Sequence, residues 1–335
     1  MKTDAGLAAD TSPSTAPWAR LRGVLGSGAL LRLGRAFLVS FGVMLVAFLL
    51  LRVAPGDPAA ILLGDQATPE ALAQLRVTLG LNGTFLEQLA RYLGNVMHGN
   101  LGISLASNQP VIALIGRALP VTLWLVVLTA AMALLAAVPL GMFAALYHRT
   151  WFGHAFRVAV SLMLATPVFF SGLLLILFFA IQLKVAPVAG YETGFPANMV
   201  YLWLPALTLC TVLVPLLARV LQSSVIDTIE QEFVETAMVR GLPRRVIMWR
   251  YLIRPSIAPT ISLLAYIVGQ LVGSAVVVEA IFGLPGMGTL LIEAVRVRDY
   301  PVIQGGIAVL GIFVVAVGYL SDVSGGWLDP RTKTK

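Results

Sequence analysis

Long apolar blocks dominate this chain and decide what it can fold into. They lie near Ala36–Leu51, Pro120–Leu146, Phe156–Ile181, Tyr201–Ala218, Ile257–Phe282 and Val302–Leu320. A helix that crosses a bilayer needs roughly 20 apolar residues, and Leu30 and Leu31 extend the first, shorter block. Hydrophobic residues make up 58% of the 335 and charged residues only 12%, more apolar surface than a soluble core of that length can hide. The pattern predicts an all-α polytopic membrane protein with six transmembrane helices and both termini on one side.

Orientation follows from the arginines and lysines, which favour the cytoplasmic side. With the N terminus inside, one face gathers Arg20, Arg22, Arg32, Arg35, Arg149, Arg157, Arg219, Arg240, Arg244, Arg245, Arg250 and Arg254. The other holds Arg52, Arg76, Arg91, Arg117, Lys184, Arg296 and Arg298, spread over longer loops. The expectation is therefore cytoplasmic N and C termini. Residues 1–35 form a tail and basic pre-span segment, 36–51 the first span and 52–118 an external helical loop; 119–321 carry the remaining spans, and 322–335 form a second tail. The formal net charge of +7 reflects this sidedness, and no nucleic-acid partner is expected from it.

The loop from Arg52 to Ala118 is long enough for a small subdomain. Thr68-Pro69-Glu70 predicts a helix start with proline at its first position and Gly80 as its stop. Thr84-Phe85-Leu86-Glu87 reads as a capping box for a second helix ending near His98-Gly99. His98 has no second histidine at ligand spacing, so a structural role is expected.

The polar stretch from Arg219 to Arg254 stands out between apolar blocks. Spacing near 3.6 residues puts Val225, Ile229, Phe233 and Ala237 on one helical face. Gly241-Leu242-Pro243 breaks the run, and Arg244 to Ile253 reads as a second short helix. The whole segment, 219–256, is a hairpin able to take a force from a partner.

Glu235-Thr236-Ala237, followed after three residues by Gly241, resembles the cytoplasmic-loop signature of permease subunits of ABC importers. The generic signature closes on Leu-Pro, where this chain has Ile253-Arg254 before Pro255. The context from Phe233 to Leu242, Pro55-Gly56-Asp57-Pro58, the run Gly99 to Ser104, Phe282 to Gly288, Asp299 to Gly306 and Asp329-Pro330-Arg331 all look like the peptide and nickel branch of that family. The resemblance implies a bacterial inner-membrane subunit forming half of a pathway for di- or oligopeptides. It further implies a second homologous permease, two ATPase subunits that bind ATP and magnesium, and an extracytoplasmic binding protein. In the same light, Phe233, Glu235, Thr236, Ala237, Arg240 and Gly241 are the expected ATPase-coupling residues. Glutathione, a nickel chelate or an oligosaccharide are alternative cargoes within the same class.

The residues offer little catalytic chemistry. None of the four lysines follows a glycine, so a Gly-Lys-Ser/Thr phosphate loop is missing and energy must come from another subunit. Cys210 is alone, which leaves no thiolate metal cage, and no cofactor is expected in this chain. An ion-coupled carrier would carry ionisable groups inside its spans; here Glu279 and Asp322 sit only at span ends. For the pathway or the seam with a second permease, the candidates are Thr166 and Pro167 at a kink in the third span, and Gly269, Gly273, Ser274 and Glu279 in the fifth. Intrachain packing of the two glycines is the equal alternative, and a solvated or capped Glu279 is favoured over one that touches cargo.

Overall fold

The computed structural model describes residues 34–49, 58–63, 68–78 and 80–328. The basic N-terminal segment through Arg32, Pro55-Gly56-Asp57 and Asp329-Pro330-Arg331 lie outside the described residues. What is described is almost entirely helical, and the one extended pairing among these residues is an isolated bridge between Ile103 and Pro110.

Helix α1 covers Gly34–Leu49. The connection that follows holds α2 (Pro58–Leu63), α3 (Pro69–Thr78) and α4 (Phe85–Met97). Both helix starts read from the sequence are present. Thr68 Oγ1 accepts from Ala71 N–H at 3.2 Å. Thr84 N–H donates to Glu87 Oε2 at 2.9 Å while Glu87 N–H returns to Thr84 Oγ1 at 3.4 Å, so each terminus satisfies its own orphan donors. Gly80 and Gly99 end the two helices with φ of 66° and 73°, the left-handed region glycine enters without a Cβ penalty.

The helical body consists of α5 (Val111–Leu146), α6 (Trp151–Ala165), α7 (Val168–Leu175, continued as a π-helical stretch Ile176–Gln182) and α8 (Ala197–Ile229). It continues through α9 (Glu232–Val239), α10 (Arg244–Val246, leading through π-helical Ile247–Ile253), α11 (Arg254–Phe282), α12 (Met287–Arg296) and α13 (Tyr300–Leu328). Four stretches are long and apolar enough to cross a membrane: Val111–Leu146, Ala197–Ile229, Arg244–Phe282 and Tyr300–Tyr319. The 36 residues of α5 extend about 54 Å at 1.5 Å per residue, well beyond a hydrocarbon core of roughly 30 Å.

Two expectations change. The third block is not one kinked helix: α6 and α7 meet at 101° across Thr166-Pro167. A residue before proline is pushed to extended backbone, and Thr166 sits at φ −83°, ψ 124°. The run Phe282 to Gly288, expected as a turn-rich external loop, leads into a further helix, α12. Its apolar residues are short of a span, and it buries Met287, Gly288 and Ala294 against the bundle.

The bundle centres on α5 against α8. A Cβ on Gly141 would lie 2.7 Å from Ala218 O and 3.0 Å from Leu221 Cβ, so glycine lets the two backbones approach as small residues do at helix seams in lipid. Ala133, Ala137, Leu213, Leu217 and Leu271 fill the middle of the bundle. Toward one end Leu125, Leu202, Leu209, Val278 and Phe282 pack together. At the other end Met142, Ala145, Leu221, Val225, Val234 and Ala237 do so. The segment after α4 is fastened to the start of α13 by Asp299, which is buried. Its carboxylate accepts from Ser104 Oγ at 2.5 Å and from the Leu105 and Ala106 N–H groups at 3.2 Å.

Candidate functional site

The polar hairpin is an elbow built from three helices. Helix α8 ends at Ile229; Gln231 is extended (φ −83°, ψ 141°) and starts α9. Glu232 and Glu235 occupy the first turn of α9, where negative charge suits the exposed N–H groups. The helix stops at Gly241, whose φ is +69°. Gly241 N–H donates to Met238 O at 2.9 Å and Leu242 N–H to Ala237 O at 3.3 Å, so the reversed chain closes the last carbonyls of α9. Pro243 then leads into α10, which runs without a break into α11. The short helix expected over Arg244–Ile253 is therefore the first part of a 39-residue helix, Arg244–Phe282.

The break at Glu230-Gln231 resets the helical phase. Val225 and Ala237 are buried, yet Phe233, expected on the same face, is 47% exposed and Val234 is the buried neighbour. A period counted through 225–237 crosses two non-helical residues, so its face is correct on either side and wrong at Phe233. Phe233 instead stacks on Tyr251 at 6.4 Å between ring centroids. Glu235, Thr236 and Arg240 are exposed, as are Met238 at 51% and Val239 at 83%. These last two apolar side chains were missed in the sequence, because a Met-Val pair beside a motif carries no signal of its own. Beneath the elbow, buried Ser256 ties α11 to α8: its Oγ lies 2.9 Å from Thr228 Oγ1 and donates to Ser224 O at 3.2 Å.

The candidate pathway residues separate. Thr166 Oγ1 returns to Leu162 O at 2.8 Å, closing the end of α6, and Pro167 opens α7. Ser274 lines a space of about 140 Å³ between α7, α8 and α11, with Gln270, Leu209, Leu213 and Val168. Gly269 faces α13, where a Cβ would stand 3.5 Å from Val314 Cγ1, whereas among the described residues nothing lies within 4 Å of the Cβ position at Gly273. The pair therefore does not form one seam within the chain.

Glu279 is not solvated; it is fully buried. Its Oε1 accepts from Thr122 Oγ1 at 2.6 Å and its Oε2 from Gly288 N–H at 2.7 Å, while Met287 N–H donates to Thr122 Oγ1 at 2.9 Å. The carboxylate thus caps α12 from within the bundle and ties α5, α11 and α12 together. Gly286 and Gly288 are required by that approach, since a Cβ on either would press on the Glu279 carboxylate. The turn-rich run Gly283 to Gly288 is a receptor for this side chain. Thr122, its other partner, carried no sequence signal. His98 Nδ1 lies 2.7 Å from Gly94 O, the contact of a helix-end histidine.

Residues 137–334 match the family model described as the binding-protein-dependent transport system inner membrane component, and residues 29–126 match the model for the N-terminal part of such membrane components. The chain belongs to that family. It is a multi-pass inner-membrane protein and a transport component. A relative in Brucella abortus (strain 2308), named as a peptide transport system permease protein, is 33% identical over 90% of this chain and 97% of its own length. A peptide ABC transporter permease protein of Sinorhizobium fredii is 31% identical over 92% of this chain and 100% of its own. A D,D-dipeptide transport system permease protein of Escherichia coli (strain K12) is 31% identical over 88% and 94%. Among solved structures, an amino acid ABC transporter overlaps 64% of this chain and 93% of its own at a TM-score of 0.46 and 15% identity, too loose to place residues.

Proposed function

We infer that this chain is the permease half of an ATP-driven importer for di- or oligopeptides. In this reading six spans cross the inner membrane with both termini and the α8–α9–α10 elbow on the cytoplasmic side, and α2–α4 form a small external subdomain. Two ATPase subunits hold ATP and magnesium, a second homologous permease completes the pathway, and an extracytoplasmic binding protein delivers the peptide. The chain itself is non-catalytic. Peptide as cargo is supported by what the relatives are named for; glutathione, a nickel chelate or an oligosaccharide are the alternatives within the class.

The observation that carries the reading is the exposed face of α9. Phe233, Met238 and Val239 present apolar surface edged by Glu235, Thr236 and Arg240, while Val234 and Ala237 anchor the opposite face in the bundle. That division suits helix-in-groove docking onto an ATPase, with the apolar side chains inserted and the polar ones setting register. Closure of the ATPases would then push α9, and the push would reach α8 through Ser256–Thr228 and α11 through the unbroken backbone. The space beside Ser274 and Gln270 is the candidate pathway wall.

The test is uptake of a labelled dipeptide by cells carrying the complete transporter. Gly241→Asp and Gly241→Arg abolish uptake while the protein remains in the membrane. Normal transport by both variants overturns the coupling role. Uptake that survives loss of the ATPase subunits but collapses with an uncoupler at constant ATP identifies an ion-coupled carrier instead.

A further inference from the structure

A second basic site lies away from the elbow, between α6 and α8. Arg157, Arg219, Ser161 and Gln222 face one space of about 160 Å³, closed on its apolar side by Phe156 and Val160. Gln222 is buried and held by a hydrogen bond from its Nε2 to Ala144 O at 3.1 Å, so one wall is rigid. Arg157 Nη2 rests 2.8 Å from His154 Nδ1, which holds the guanidinium at the edge of this space. Among the described residues neither arginine has a carboxylate partner within ion-pair distance. The sequence explains this: no Asp or Glu occurs between Leu146 and Lys184, nor along α8 before Asp227. Two guanidinium groups facing one small space, with no counter-charge among the described residues, suit an anion.

Its depth specifies the anion. Trp151 and Phe152, 74% and 55% exposed, start α6 and join Phe143 and Tyr147 in a cluster with ring centroids 4.6 to 6.5 Å apart. Such aromatic girdles mark the membrane–water boundary. Arg157 stands about 8 Å further along the helix axis at 1.5 Å per residue, within reach of the phosphate layer for a snorkelling arginine. Arg219 directly follows the apolar run that ends at Ala218. Exposed Val158 and Leu162 on α6 supply apolar surface beside the space where an acyl chain can lie. A basic pocket between membrane helices at this level suits an anionic lipid headgroup.

We propose that Arg157 and Arg219, with Ser161 and Gln222, bind the phosphate of an anionic phospholipid at the cytoplasmic leaflet. The proposal rests on the proposed topology, in which this end of the bundle is the cytoplasmic membrane boundary, and not on peptide transport or on the ATPase partners.

The experiment is native mass spectrometry of the full-length chain purified from nanodiscs containing equal amounts of phosphatidylglycerol and phosphatidylethanolamine. Both leaflets are identical there, so the readout is independent of orientation and of transport activity. The retained lipid is expected to be enriched in phosphatidylglycerol about 10-fold or more, and R157Q or R219Q each to lower the enrichment about 5-fold. R157K with R219K retains most of it, and R296Q at the opposite end leaves it unchanged. A double R157Q/R219Q variant with wild-type enrichment overturns the proposal. Displacement of the lipid by millimolar inorganic phosphate also overturns it, by identifying a free-anion site. If the glutamine pair does not fold, salt titration of the unmodified chain decides: the enrichment falls steeply with NaCl, and indifference to salt refutes the site.

Discussion

Gly241 is the position where the elbow can be loosened with the least collateral change. Its φ of +69° lies in the region that costs an L residue about 1–2 kcal/mol, yet among the described residues nothing stands within 4 Å of where a Cβ would be. Gly241→Ala therefore tests backbone conformation alone, without overpacking. A cost of that size raises the population of the opened turn by roughly 5- to 30-fold, and Asn, which tolerates left-handed backbone better, gives a smaller rise. A β-branched Val gives a larger one. The local opening is read by trypsin cleavage after Arg240 or Arg244 in inside-out vesicles, normalised to total membrane-embedded chain. Cleavage rates ordered Gly, Asn, Ala, Val, with dipeptide uptake falling in the same order, are the expected outcome. Equal cleavage and equal uptake for Gly and Val would refute the argument that α9 is held by this turn.

Three other substitutions probe the rest of the structure. Glu279→Ala leaves the Thr122 hydroxyl and the Gly288 N–H without their acceptor in a sealed site and lowers thermal stability in detergent by about 2–4 kcal/mol; Glu279→Gln, which keeps one acceptor, loses less, and equal melting of the two refutes the capping role. Thr84→Ala removes the cap on α4 and costs about 0.5–2 kcal/mol, seen as faster amide exchange in Phe85–Met97 with no change in the long helices. Tyr92 has its hydroxyl buried without a partner among the described residues, and burial pushes its pKa up to about 12 from the usual 10. Tyr92→Phe is accordingly neutral or mildly stabilising, and difference absorbance at 295 nm loses a tyrosine that ionises late. Below pH 10 this group contributes no pH dependence. Above it the unfolded chain releases the proton first, so stability falls until Phe replaces Tyr.

What could be read from the sequence was local. The Thr84–Glu87 box and the stops at Gly80 and Gly241 each involve residues within one or two turns, where spacing and geometry coincide. The apolar blocks located the long helices because length and hydropathy suffice for that. The sequence placed Glu279 at the end of its span but left solvated and capped positions open, because its partner Thr122 lies 157 residues away and nothing near Glu279 distinguishes a sealed carboxylate from a solvated one. Helix α12 was hidden for the same reason: a glycine-rich start resembles a loop until the carboxylate that needs those glycines is in view. Phe233 was put on one face with Val225 and Ala237 because a period is continuous on paper, while two residues at Glu230-Gln231 interrupt it in the chain.

The elbow and the Glu279 cap are opposite ends of one element. The helix from Arg244 to Phe282 has 39 residues, about 58 Å at 1.5 Å per residue. Its first turns share a core with α9 through Ile247, Leu252 and Ile253, and its far end is bonded to α5 and α12 through Glu279. Coupling between distant sites can be carried by such a contiguous, rigid element. The π-helical stretch Ile247–Ile253 is the place where a push on α9 either bends the helix or passes along it. Ser256, bonded to α8 just beyond that stretch, favours transmission, because a bend there would break a buried polar tie between the two long helices. On the proposed coupling role, force applied to the exposed face of α9 is expected to move α8 and α11 together. S256A, which removes the hydroxyl tie to α8, is expected to lower uptake while leaving the chain in the membrane; unchanged uptake would refute this route.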